Sequence, residues 1–158
     1  PDYRTNERTF QILAQVAGRA GRSPLGGRVI LQTYQPDHYI IQAASCYDYQ
    51  AFYSREIAYR RELGYPPFRE LIRLETRARR AQDAASSARQ FAEQLQQLIK
   101  TDGYRATDLV GPVPCYFTRI RGQYRWQIIL RGPDPVALLR QSPPPDDWII
   151  EVNPPSLL

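Results

Sequence analysis

The run Gln15-Val16-Ala17-Gly18-Arg19-Ala20-Gly21-Arg22 sets two arginines three residues apart at the end of a helically patterned segment. A guanidinium is a planar fork that matches phosphate oxygens. Flanking glycines let the backbone come close and carry that fork at angles a helix does not offer. A nucleoside triphosphate approaching transfer gathers charge on its γ-phosphoryl oxygens. An arginine brought in from a facing domain neutralises that charge, an effect worth roughly 10³–10⁵ in rate. A helix C-cap followed by a basic loop produces the same spacing. A second candidate lies between Val113 and Pro133, where Arg119, Arg121, Arg125 and Arg131 occur with no acid. Tyr116, Phe117, Tyr124 and Trp126 are interleaved with them. Guanidinium groups on phosphates and rings on bases would make this a nucleic-acid surface. Alternatively the aromatics are core and the arginines a solvated face. Alternation with period 2 puts Trp126 in the core, so the four arginines are the candidate contacts; a one-residue slip in register would exchange the faces.

The elements that must position these residues fall into two groups, 1–64 and 65–158. In the first, Thr5 or Asn6 can cap a helix carrying Phe10, Leu13, Ala14 and Ala17, stopped by Gly18 and Gly21. Val29–Tyr34 is short, β-branched and largely apolar, as a central strand of a covered sheet would be. Pro36-Asp37 begins a second helical stretch, and Asp48 a third with Tyr49, Phe52, Tyr53 and Ile57 on one face. Helix, loop, strand, helix is α/β grammar, so this group reads as the tail of a larger α/β domain.

Gly64-Tyr65-Pro66-Pro67-Phe68 ends the helix and marks the boundary. Leu71–Ala78 alternates as a strand, with Ile72, Leu74, Thr76 and Ala78 on one side and Arg73, Glu75 and Arg77 on the other. Ala81–Lys100 is the strongest helical stripe in the chain. Two strands, Cys115–Arg121 and Tyr124–Arg131, flank a turn at Gly122-Gln123. Asp134 caps a short helix, and Trp148, Ile150 and Val152 alternate inward as a last strand. The order β-α-β-β-α-β predicts a ferredoxin-like α+β domain with both helices on one face and the other face open.

Composition narrows the classes. Twenty of the 21 basic residues are arginine, giving a net charge of +5. Codon drift in a GC-rich genome would also enrich arginine. The excess divides as +2 and +3 between the two groups, so any nucleic-acid site is a local patch. No apolar run approaches the roughly 20 residues of a membrane span and no signal pattern opens the chain, which reads as cytoplasmic. Cys46 and Cys115 lack partners at metal-ligand spacing, and His38 is the only histidine. The expectation is reduced, buried cysteines and no metal site.

Gln15-x-x-Gly18-Arg19-x-Gly21-Arg22 resembles the sixth motif of superfamily 2 helicases, at the edge of their second RecA-like lobe. Further stretches narrow the resemblance: Pro1-Asp2-Tyr3-Arg4, Glu7-Arg8-Thr9-Phe10-Gln11, Gln32-Thr33-Tyr34, Pro36-Asp37-His38-Tyr39, Glu62–Phe68, Arg121-Gly122-x-Tyr124-Arg125-Trp126-Gln127 and Val152-Asn153-Pro154. In family order and over nearly the whole chain, they resemble the PriA (primosomal protein N′) family of replication-restart helicases.

The resemblance implies a partial RecA-like lobe over 1–64 and a C-terminal domain over 65–158, belonging to an ATP-dependent 3′→5′ DNA helicase that reloads replication at stalled forks. It implies Arg22 as arginine finger, Arg19 as its companion and Gln15 as the coupling residue. The implied partners are branched and single-stranded DNA, the acidic tail of single-stranded DNA-binding protein (SSB), and other primosome proteins. ATP and Mg²⁺ would act in the full-length protein, and zinc only in a cysteine-rich segment preceding Pro1. This chain contains no phosphate-binding GxxxxGK[ST] loop, so it is expected not to hydrolyse ATP by itself. A stand-alone binding module for DNA or the SSB tail, and a structural cap for the motor, are the competing classes.

Overall fold

The computed structural model describes residues 3–20, 27–101, 103–154, 156 and 157. Backbone contacts divide the chain into two units, Pro1–Glu62 and Leu63–Leu158.

The first unit is helical: α1 (Thr5–Ala20), α2 (Tyr39–Ser45) and α3 (Tyr49–Leu63). α1 runs through Gly18 rather than stopping there, because one glycine costs a helix only about 1 kcal/mol. The cap of α2 is His38, whose Nδ1 accepts from the Ile40 N–H at 3.4 Å, not the expected Pro36-Asp37. Asp48 opens α3 by accepting from the Ala51 N–H at 2.9 Å. The core is Phe10, Ile40, Ala43, Ala44 and Phe52, with the Phe10 and Phe52 rings stacked 4.3 Å apart.

The face expected on α3 is buried only in part, with Phe52 inside and Ile57 half-buried. Tyr49 and Tyr53 are exposed, and Glu56 goes inside with Phe52. Its carboxylate accepts from Tyr39 Oη at 2.7 Å, Asn6 Nδ2 at 3.2 Å and Arg60 Nε at 2.8 Å. Burial, then the bond to Glu56, pushes the Tyr39 phenol well above its ordinary value. Val29–Tyr34 forms no strand. A strand needs a neighbour for its N–H and C=O groups, and no segment among the described residues of this unit pairs with it; Ile30 is 84% exposed. Cys46, expected to be buried, is exposed just beyond α2.

The second unit follows the order β1 (Glu70–Ala78), α4 (Ala81–Thr101), β2 (Asp108–Ile120), β3 (Gln123–Gly132), α5 (Pro135–Gln141), β4 (Ile149–Val152). The strands form one antiparallel sheet in the order β2-β3-β1-β4, a small α+β domain. α4 buries Ala84, Ala85, Ala88, Phe91, Ala92 and Leu95 at helical spacing. Ala88, Phe91, Ala92 and Leu95 pack with Leu138 and Leu139 of α5 on Ile72, Leu74, Ile128 and Leu130, so both helices cover one face. Asp134 caps α5 by accepting from the Ala137 N–H at 2.9 Å.

Three expectations for this unit are corrected. β2 begins at Asp108, seven residues before Cys115, and carries Pro112 and Pro114. Proline cannot donate to a ladder, but β2 is an edge strand and tolerates it. The two-residue turn is Arg121-Gly122, both at positive φ (49° and 81°), rather than Gly122-Gln123. Trp148 is buried against Phe91, yet Ile150 and Val152 on the other edge strand are about half exposed.

Candidate nucleic-acid interface

The sheet face opposite the helices, which carries Arg73, Glu75 and Arg77 of β1, is expected to be open. Instead β1 is buried on both faces from Leu71 to Thr76. Strand register explains why. Glu75 stands opposite Gln127 and Arg77 opposite Arg125, so one carboxylate meets arginines from its own strand and from the next.

Glu75 is 0% exposed and Arg125 7%. Arg125 grips Glu75 with two bonds, Nε to Oε1 at 2.8 Å and NH2 to Oε2 at 2.6 Å. Arg77 Nε donates to Oε1 at 2.6 Å. Arg73 NH2 lies 3.3 Å from Oε2, and its Nε lies 2.8 Å from Glu151. Bidentate, charge-assisted bonds are the strong kind. Burial would raise the Glu75 carboxyl, but the bonds and charges of Arg125 and then Arg77 outweigh it and hold the carboxyl below its ordinary value. For Arg125 the bond to Glu75 dominates and raises its value. Cys115, buried alongside, has its thiol pushed up by burial and then by the Glu75 charge.

A pH dependence follows from the lowered carboxyl. The unfolded chain takes up the Glu75 proton near 4.5 and the folded chain only at lower pH. The ion pair's contribution is therefore complete above about pH 4.5 and is lost as the pH falls through the folded value. Thermal melts are expected to show this acid limb in the wild-type chain and its reduction in Glu75→Gln.

The surface lies at one end of this sheet. Arg119 and Arg121 are exposed at the β2–β3 turn, Arg119 with its guanidinium 5.1 Å from the Tyr124 ring centroid. Tyr124 pairs with Ala78, so the end of β1 sits at the same sheet end. Arg77, the half-free fork on Glu75, and exposed Arg79 and Arg80 just after it join the group. Glu75, bonded to Arg77, and Asp83, in the first turn of α4, are the acids nearest in sequence to that side. Sequence reasoning missed Arg77, Arg79 and Arg80. The available signal was Arg73-x-Glu75-x-Arg77, a carboxylate with arginines two residues away on either side and hence on one strand face.

Arg125 and Arg131, also expected at the surface contact, are both engaged within the fold. Arg125 is the buried clamp on Glu75. Arg131 lies six residues further along β3, roughly 20 Å away. It donates to Asp108 at 3.0 Å and to the Leu63 carbonyl at 2.9 Å, and lies 5.8 Å from the Tyr65 ring centroid. In the first unit, Gln15 and Arg19 are exposed one turn apart on α1. Arg22 lies outside the described residues. Among the described residues no three His, Cys, Asp or Glu side chains are grouped to hold a metal, and no helix is long and apolar enough to cross a membrane.

The sequence model of the Primosomal protein N C-terminal domain matches residues 61–154. The chain is 40% identical to the replication restart protein PriA of Bacillus subtilis over 131 residues, covering 83% of this chain and 16% of that protein. It is 35% identical to the Synechocystis protein of the same name over 163 aligned positions, covering 99% of this chain and 19% of the relative. Identity to the Haemophilus influenzae protein is 36% over 137 residues, 87% of this chain and 18% of the relative. The chain thus spans about a fifth or less of the length of these relatives.

Proposed function

This chain belongs to the family of the Primosomal protein N C-terminal domain, and on that premise we propose that it is the nucleic-acid-binding end of an ATP-dependent 3′→5′ DNA helicase that restarts stalled replication forks in the cytoplasm. The observation that carries the reading is the arginine cluster at the turn end of the sheet. Arg119 and Arg121 are exposed there, with Arg77, Arg79 and Arg80 beside them. Arg77 shares its fork with Glu75, whereas Arg119 and Arg121 have no ion-pair partner among the described residues; such free forks suit phosphodiester oxygens, and their contacts fix position on DNA without reading its sequence. Arg125 acts from beneath as the residue that holds the surface, and Arg131 as a structural contact at the far end.

The second unit is read as a ferredoxin-like domain and the first as part of a RecA-like lobe. Gln15 and Arg19 suit one side of a triphosphate site, since both project from the last turns of α1. With Arg22 they would supply positive charge to ATP·Mg²⁺ held mainly by parts of the protein outside this chain; bound ATP supplies the phosphoryl-transfer energy. Zinc belongs to a cysteine-rich segment outside this chain. The acidic tail of SSB and the other primosome proteins are the protein partners of this reading. Binding, rather than catalysis, is the activity assigned to the chain itself.

The test is salt dependence. Neutralising Arg119 and Arg121 (Arg119→Gln, Arg121→Gln) is expected to weaken DNA binding and to flatten log K against log salt. The expected change is about 0.7 per contact on single strands and about 0.9 on duplex. An unchanged slope would return both arginines to a solvated face.

A further inference from the structure

Between Pro114 and Arg119 the pairing of β2 with β3 slips. Pro114 stands opposite Trp126 and Arg119 opposite Tyr124, so residues 115–118 face the single residue Arg125. Cys115 takes the inner position, 1% exposed, while Tyr116 and Phe117 are thrust outward, 70% and 60% exposed. Their rings meet edge to face, with centroids 5.0 Å apart and planes at 87°. The bulge is fixed from below: Arg125 NH1 donates to the Phe117 carbonyl at 3.4 Å while the same guanidinium is locked on Glu75. Buried ion pairs are poor devices for stability alone, and large apolar rings are normally buried. Here a buried ion pair anchors the backbone that holds two rings in water, within five residues of Arg119 and Arg121.

We propose that Tyr116 and Phe117 form a stacking platform for unpaired nucleobases, with Arg119 and Arg121 holding the adjoining phosphates. The proposal rests on the nucleic-acid reading above and names its substrate class: single-stranded nucleic acid, or the unpaired bases at a branch. In a duplex the base faces are already stacked on one another and inaccessible to a side chain. An exposed ring gains from a base only where that base is unpaired, and the gain is tolerant of sequence because every base has a π face. An acidic peptide would also be drawn to the arginines, but its apolar end needs a concave site, and these rings project.

The experiment is fluorescence anisotropy on the 158-residue chain with three probes: a labelled oligothymidylate, a blunt duplex of equal length, and an acidic peptide ending in an aromatic residue. Tyr116→Ala/Phe117→Ala is expected to lower oligothymidylate affinity by at least about tenfold. Duplex affinity and salt slope should be unchanged, and Tyr116→Phe/Phe117→Tyr should bind like wild type. Both rings are exposed, so thermal melts should not move. Equal loss on single strand and duplex, no loss on either, or loss on the peptide alone would each overturn the platform. Arg119→Gln/Arg121→Gln separates the two levels. If it leaves oligothymidylate binding intact, the nucleic-acid reading itself falls; if it weakens binding while the alanine pair does not, only the stacking assignment falls.

Discussion

Replacing Glu75 by glutamine is expected to destabilise the second unit by about 3–5 kcal/mol, the cost of removing one partner from a buried ion pair. A domain of this size has only about 5–15 kcal/mol in total, so the variant should lose a large fraction of its stability. The reason is electrostatic. Arg125 is 7% exposed and Arg73 8%, and Glu75 is the carboxylate that joins them to Arg77. Urea denaturation followed by tryptophan fluorescence checks this, since Trp126 and Trp148 both belong to or border the second core. A companion variant separates stability from function. Glu75→Leu/Arg125→Met replaces the clamp by apolar groups of similar volume, which is often neutral for stability. It should recover much of the lost stability while releasing the Phe117 carbonyl, so that single-strand affinity falls in a folded chain. A Glu75→Gln variant as stable as wild type would show that the network contributes little.

The second large effect concerns the motor. In the full-length protein, Arg22→Ala is expected to reduce DNA-stimulated ATP hydrolysis by about 10³–10⁵-fold, the range for loss of an arginine finger. Affinity for forked DNA should stay near wild type, because Arg22 is assigned to the triphosphate. The motif Gln15-x-x-Gly18-Arg19-x-Gly21-Arg22 and the exposure of Gln15 and Arg19, its first two candidate residues, at the end of α1 motivate this expectation. Steady-state turnover at saturating DNA reads it directly, and retained turnover contradicts the finger assignment.

How far the sequence alone reached depended on what each pattern encodes. The stripe of α4 and the order of the second unit's elements were readable because periods of 3.6 and 2 are local properties. So was the cap at Asp134. The charged side of β1 was assigned correctly, but its burial was not legible, because alternation says which residues share a side and not what stands opposite them. Only the pairing of Glu75 with Gln127 and of Arg77 with Arg125 turns a solvated face into a buried network. For the same reason Arg125 looked equivalent to Arg119, although one is buried and the other exposed. The start of β2 at Asp108 was not legible because Pro112 and Pro114 fit a strand only at a sheet edge. Val29–Tyr34 has strand composition, yet composition supplies no partner strand. The bulge at 115–118 was illegible because register slips are set by both strands at once.

The most direct test of the proposed nucleic-acid surface is an NMR titration of the isotope-labelled chain with a short single-stranded oligonucleotide. Resonances of Arg77, Arg79, Arg80, Tyr116, Phe117, Arg119 and Arg121 are predicted to move together along one saturation curve, while those of Tyr65, Asp108 and Arg131 stay in place. Shifts centred on Arg131 and Asp108, with the turn at Arg121-Gly122 unmoved, would contradict the account.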